Sequence, residues 1–127
     1  MKPTIKGNIG EQAVLFEASK RELFAAAMPE GCPYDIVVDK DGKLNRIQVK
    51  YSVIKNGCIR IEARSSTGVA YDNSNIDAII CYCATNGKTY WIDAAIIAER
   101  SRTLNLRVDA PDRNRKNINW ASEYEVW

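Results

Sequence analysis

The chain has 127 residues, of which 46% are hydrophobic, and a formal net charge of +2. This length predicts a single domain over residues 1–127, and so small a charge excludes a polycation, so an anionic partner must be recognised through a local patch. Histidine is absent, which excludes serine–histidine and cysteine–histidine dyads and histidine zinc sites.

No apolar run approaches the roughly 20 residues that span a bilayer, and residues 1–7 lack the apolar core of a signal peptide. We therefore expect a cytoplasmic protein without a membrane partner. Cysteines should stay reduced there. Cys81 and Cys83, two residues apart in an apolar run, are predicted to be core residues and not zinc ligands.

A first helix is predicted from Ile9 to just before Pro29, about 19 residues long and able to cover a small sheet. Asn8 is the expected N-cap residue, and Glu11 would complete a capping box.

A β-hairpin from Tyr34 to Tyr51 is the strongest local prediction. Its turn is Asp41-Gly42, a pair that suits the positive φ angles of a two-residue turn. One face then carries β-branched residues that can pack under a helix. These are Ile36, Val38, Ile47 and Val49.

The other face of the hairpin carries the polar side chains. The two-residue turn places Val37 opposite Arg46 and Asp35 opposite Gln48. Lys50 follows on the same face, because side chains alternate along a strand.

Further elements follow turn signals such as Asn56-Gly57 and Asn86-Gly87. Strands are predicted over Gly57–Ala63, Asp77–Cys83, Lys88–Ile92 and Leu104–Val108, with a short helix capped by Asp93 from Ala94 to about Arg100 and a C-terminal segment that folds back. The fold class is therefore α/β, or mixed α+β, with a β-meander in a central mixed sheet flanked by helices.

The polar hairpin face suits a divalent cation, because Mg²⁺ prefers hard oxygen ligands and needs only one or two carboxylates beside a phosphate. Asp35 supplies charge, Gln48 an amide oxygen and Val49 a backbone carbonyl; Glu11 can add a second carboxylate. Lys50 can bind the scissile phosphate or orient the attacking water. The plainer alternatives are a helix cap for Glu11, a strand-edge residue for Asp35 and a solvated strand face for Gln48 and Lys50.

A helical Glu11, then Pro33-Tyr34-Asp35, then Gln48-Val49-Lys50 resembles the PD-(D/E)XK nuclease superfamily. The resemblance implies a restriction-endonuclease-like core, with Glu11, Asp35, Gln48 and Lys50 at a Mg²⁺ site where Mn²⁺ can substitute. Tyr34 separates the proline from the aspartate, and Gln48 replaces the usual acidic residue.

Four stretches resemble the small single-domain homing endonucleases of cyanobacterial introns and their phage relatives. This resemblance implies a prokaryotic or phage-infected cell and a symmetric oligomer. The stretches are Gly7–Glu11, Gln48–Lys50, Tyr90–Asp93 and Asn117–Tyr124.

Basic residues near the C-terminus are candidates for contacts with DNA phosphates, with an ordinary basic surface as the alternative. Arg60 and Arg64 share a strand face and can read base edges in a groove. The full predicted DNA-binding set is Arg60, Arg64, Arg100, Arg102, Arg107, Arg113, Arg115 and Lys116.

The sequence therefore predicts a Mg²⁺-dependent endonuclease of double-stranded DNA, with site-specific homing as the first reading. It should act at least as a homodimer, or as a homotetramer, because cutting a duplex requires two active sites. Tyr51, Trp120 and the surface near Cys81 are candidate interface elements. A structure-selective junction resolvase and a DNA-binding domain that no longer cuts are the alternatives.

Overall fold

A five-stranded mixed sheet and a separate three-stranded antiparallel sheet form the framework, with one long helix packed on the larger sheet. The computed structural model describes residues 1–65, 67–99, 103–111, 113 and 116–127. In chain order the elements are α1 (Pro3–Lys20), β1 (Ala25–Ala27), β2 (Ile36–Lys40), β3 (Lys43–Ser52), β4 (Ile54–Lys55), β5 (Cys58–Glu62), β6 (Ala78–Cys83), β7 (Lys88–Asp93), α2 (Ala94–Ala98), β8 (Thr103–Arg107) and a 3₁₀ turn (Ala121–Tyr124).

Helix α1 begins six residues earlier than predicted. Pro3 occupies its first turn, where the fixed φ of proline suits a helix and its missing N–H is not needed. Lys2 is the N-cap residue and makes no side-chain capping bond. The predicted cap at Asn8 is therefore wrong, and Asn8 and Glu11 both lie within the helix.

The same helix ends at Lys20, well before Pro29. Glu22 adopts a left-handed φ of 60°, and the N–H of Leu23 donates to the Ala18 carbonyl at 2.9 Å, which closes the helix in a Schellman motif. Ala25–Ala27 then pairs with β2 as an edge strand. Residues Ala25–Ala27, which the sequence pattern assigned to the helix, therefore form a strand because they pair with β2.

The β2–β3 hairpin has the predicted turn and register. Asp41 and Gly42 have φ angles of 55° and 75°, and the ladder pairs Val37 with Arg46 as expected. The buried face packs against α1 around Val14, as predicted. Its fully buried members are Ile36, Val38 and Ile47.

Strand β3 continues for ten residues and pairs in parallel with β6, whose other edge pairs antiparallel with β7. The predicted mixed sheet is thereby confirmed. Its strand order is β1-β2-β3-β6-β7. None of the helices in the described ranges is long and apolar enough to cross a membrane.

The predicted third strand forms as β5, but it does not extend the meander. It pairs with β4 and β8 in the smaller sheet. The reason is competition for an edge: β3 is hydrogen-bonded on one side to β2 and on the other to β6, so no edge of β3 remains for β5.

A second core fills the space between the two sheets. Cys81 and Cys83 are fully buried in it, which confirms their prediction as core residues. Asp93 precedes α2 as predicted but makes no capping bond; its carboxylate accepts a hydrogen bond from Trp91 Nε1 at 2.9 Å.

Candidate active site

A cleft of about 550 Å³ opens between the first half of α1 and the polar face of the hairpin. We call it the Asp35 cleft. It brings together all four side chains predicted as site residues. These are Glu11, Asp35, Gln48 and Lys50.

Asp35 precedes β2 and is bound to β3 by two hydrogen bonds from the opposite strand. Its Oδ2 accepts from Gln48 Nε2 and from the backbone N–H of Val49, both at 2.8 Å. The predicted juxtaposition of Asp35 and Gln48 is therefore present. Because the Gln48 amide donates through its nitrogen, its oxygen is the atom that remains for a cation.

Glu11 reaches this cleft because α1 lies close to β3 at the preceding residue. A Cβ atom on Gly10 would be only 3.2 Å from Val49 Cγ1, so any side chain there would require a shift of a few tenths of an ångström, and the glycine permits the close approach. Partial burial raises the pKa of Glu11, and the nearby Asp35 carboxylate raises it further.

The two carboxylates lie in an environment that disfavours two negative charges. Burial raises the pKa of Asp35, although the Val49 hydrogen bond and the charge of Lys50 act in the opposite direction. A divalent cation bound between Glu11 and Asp35 would remove this penalty. The described residues contain no cluster of three or more histidine, cysteine or acidic side chains, but two carboxylates, an amide oxygen and a carbonyl fit Mg²⁺.

Lys50 makes its hydrogen bonds to residues far along the chain. Its Nζ donates to Tyr71 Oη at 3.3 Å and to the Arg64 carbonyl at 3.4 Å, and it lies 5.0 Å from the centre of the Tyr71 ring. Burial lowers the Lys50 pKa, whereas Asp35 opposes this shift.

Tyr71 is the residue of this cleft that sequence reasoning missed. It is buried, and burial raises its pKa to about 12, so the hydroxyl stays protonated at neutral pH. It belongs to the polar connection between β5 and β6, where no strand or helix periodicity marks an inward-facing position. One sequence signal was present: Tyr71 is the single aromatic residue among the mostly polar and small residues 64–75. An isolated aromatic residue in such a stretch indicates a buried position.

The predicted DNA-binding arginines that the structure describes do not line the Asp35 cleft. Arg60 is exposed and forms an ion pair with Glu62 at 3.4 Å, and the Arg64 guanidinium donates to the Gly68 carbonyl. A separate concavity contains Arg107, Arg113 and Lys116. Arg100, Arg102 and Arg115 lie outside the described residues.

Comparison with a solved structure shows that the fold of this chain is shared. The chain superposes on the structure of a bacterial homing endonuclease, I-Ssp6803I, with a TM-score of 0.78 and 22% sequence identity over 98% of this chain and 88% of that one. At this identity the similarity establishes the shared fold. A search of curated proteins gives no match.

A sequence profile gives the family directly. The profile of the PD-(D/E)XK endonucleases matches residues 1–127, the whole of the chain. The expectation drawn from Glu11, Asp35, Gln48 and Lys50 is therefore confirmed at the level of the family, and this protein belongs to the PD-(D/E)XK endonucleases.

Proposed function

We propose that this nuclease is a Mg²⁺-dependent endonuclease that hydrolyses phosphodiester bonds at a specific site in double-stranded DNA, as a homing endonuclease. The observation that carries the proposal is the convergence of Glu11, Asp35, Gln48 and Lys50 in one cleft. The family match supports DNA as the substrate. The fold shared with a bacterial homing endonuclease supports the homing role.

The proposed metal ligands are the carboxylates of Glu11 and Asp35, the amide oxygen of Gln48 and the carbonyl of Val49. When bound, Mg²⁺ or Mn²⁺ supplies Lewis-acid stabilisation of the negative charge that develops on the phosphate. Asp35 is held in place by the Val49 N–H, so its carboxylate is pre-positioned before a cation arrives.

Lys50 is proposed to donate a hydrogen bond to the scissile phosphate or to the attacking water. Tyr71 is a positioning residue, because its hydroxyl and ring hold the lysine ammonium at the side of the cleft. Burial already lowers the Lys50 pKa, which favours exchange of a proton with the water.

A break in both strands requires two such clefts, so the proposed active species is a homodimer or a homotetramer. The proposed interface elements are the surface near Cys81 and the partly exposed side chains of Tyr51 and Trp120.

The decisive test is cleavage of plasmid DNA carrying candidate target sites, with Mg²⁺ and with chelator. Asp35→Ala and Lys50→Ala should each reduce the rate by roughly 100-fold or more, as expected for loss of a ligand or an acid–base group. Asp39→Ala and Lys40→Ala, on the same hairpin near its turn, are the matched controls and should cut like the wild type.

If the wild-type protein cuts neither linear duplex nor branched DNA in Mg²⁺, the proposal of an enzyme is rejected. The non-cleaving DNA-binding domain would then be the remaining alternative. Preferential cutting of a four-way junction, without sequence preference, would identify a junction resolvase instead. Lys50→Ala cutting at the wild-type rate would remove that residue from the chemistry.

A further inference from the structure

A second concavity, which we call the basic groove, adjoins the Asp35 cleft. It has a volume of about 760 Å³ and lies between the start of α1 and the β4–β5 hairpin. Its rim carries Lys6, Lys55 and Arg60 around Tyr51. The two concavities share Val49 and Lys50 in their walls, so a ligand in the groove would continue into the cleft.

Two lysines of the groove, Lys6 and Lys55, differ from most other lysines in how their charges are compensated. Lys20, Lys43 and Lys88 each lie within 3.0 Å of a carboxylate oxygen. Lys6 and Lys55 are exposed, and within the described part of the chain neither forms an ion pair; Lys6 lies over the Tyr51 ring at 5.8 Å. Uncompensated positive charge thus collects beside the cleft.

The smaller sheet extends this positive surface. Ile59 and Ile61 of β5 face the core, so Arg60 points to the opposite, solvent side. Across the ladder Arg60 pairs with Asn105 of β8, and Asn105 lines both the basic groove and the concavity that contains Arg107, Arg113 and Lys116. The described lining residues of these two concavities include no carboxylate.

These surfaces form one path, which we call the basic track, from the Asp35 cleft through Lys6, Lys55 and Arg60 to Arg113 and Lys116. We propose that the basic track binds the sugar–phosphate backbone of the duplex that flanks the scissile phosphate. Charge complementarity and continuity with the cleft support this assignment, which rests on the proposed function in taking DNA as the polyanion. The Arg60–Glu62 ion pair is exposed and can exchange partners readily.

The test measures affinity for a fluorescent random-sequence duplex in chelator, at several salt concentrations, with the full-length protein. Phosphate contacts are independent of sequence, so the unknown target is not needed, and each contact contributes about 0.9 to the slope of log K against log salt. The Lys6→Gln/Lys55→Gln variant should bind more weakly and lose about 1.8 from the slope. Arg113→Gln/Lys116→Gln tests the far end of the track and should act in the same direction.

The matched control is Lys20→Gln/Lys88→Gln, which removes the same net charge from exposed positions outside the track. Its slope should equal that of the wild type, and all variants should retain the wild-type unfolding temperature. An unchanged slope in Lys6→Gln/Lys55→Gln, or an equal loss in the control, would overturn the track. Tighter track-dependent binding of duplex RNA than of duplex DNA would overturn the assignment to DNA.

The outcome of this binding test does not depend on whether the protein cleaves DNA. A track-dependent slope in a protein that never cleaves would sustain the track and reject the enzyme. Metal-dependent cleavage with no track-dependent slope would support the nuclease proposal and reject the track.

Discussion

Lys50 depends on a neighbour that lies 21 positions away in the sequence. Its ammonium contacts the hydroxyl and the ring of Tyr71, and its second partner is a backbone carbonyl, which no side-chain substitution removes. Tyr71 is therefore the side chain through which the proposed positioning of Lys50 can be tested.

Tyr71→Phe keeps the ring and removes the hydroxyl. We expect the single-turnover cleavage rate to fall about 2- to 10-fold, the equivalent of one hydrogen bond of about 0.5–1.5 kcal/mol. DNA affinity in chelator should not change, because the ring and the fold are retained. Tyr124→Phe, in the 3₁₀ turn, is the control; a wild-type rate in Tyr71→Phe would mean that the hydroxyl does not position Lys50.

Among the secondary-structure elements, the junction of β3 and β6 depends on one carboxylate. Asp77, just before β6, accepts hydrogen bonds from the Arg46 N–H at 2.8 Å, from Arg46 Nε at 3.1 Å and from Lys43 Nζ at 3.0 Å. The Arg46 guanidinium holds the pKa of Asp77 well below its usual range. This network aligns the two parallel strands that support the cleft.

Asp77→Asn should lower the free energy of unfolding at pH 7 by about 1–3 kcal/mol, because it weakens charge-assisted hydrogen bonds. The folded-state pKa is depressed, so this contribution is complete above the unfolded pKa of about 3.9 and is lost as pH falls further. Urea unfolding at pH 7, 4, 3 and 2 should show the two proteins converging at low pH. Exposed Asp39→Asn is the control, and a constant difference across this range would contradict the assignment.

At the scale of the whole molecule, hydrogen bonds and ring contacts hold the C-terminal residues against the end of α1 that lies remote from the cleft. The Arg21 guanidinium lies 4.6 Å from the centre of the Trp127 ring and donates to the carbonyls of Glu125 and Trp127 at 2.7 and 3.1 Å. The Trp127 ring also packs on Trp91, with centroids 5.7 Å apart. One arginine thereby joins the helix, the last strand of the large sheet and the C-terminal segment.

Arg21→Ala should reduce the free energy of unfolding by about 1.5–3 kcal/mol, the usual value for hydrogen bonds to a charged group. Cleavage and the salt slope should be unaffected, because Arg21 lies ten positions after Glu11, about 15 Å away along the helix axis. Chemical denaturation measures the first effect, with Lys20→Ala as the control. If Arg21→Ala lost cleavage under conditions in which the variant is fully folded, the two ends of α1 would be coupled.

Long-range competition explains why part of the fold escaped prediction. The strand at β5 was identified from its own residues, but its partners depend on β6 having taken the free edge of β3. The end of α1 was likewise misplaced, because pairing of Ala25–Ala27 with β2 outweighs the local helical pattern. Local preference is weak compared with such pairing.

The amino-acid sequence by itself determined the hairpin and the part of the cleft built on it. A two-residue turn at Asp41-Gly42 sets the register, and alternation then places Asp35, Gln48 and Lys50 on one face; a slip of one residue would have separated them. Only the tertiary structure decided that Glu11 closes the cleft, that Tyr71 holds Lys50 and that a basic track leads away from it. Those contacts join residues that are distant in the chain, so no local pattern encodes them.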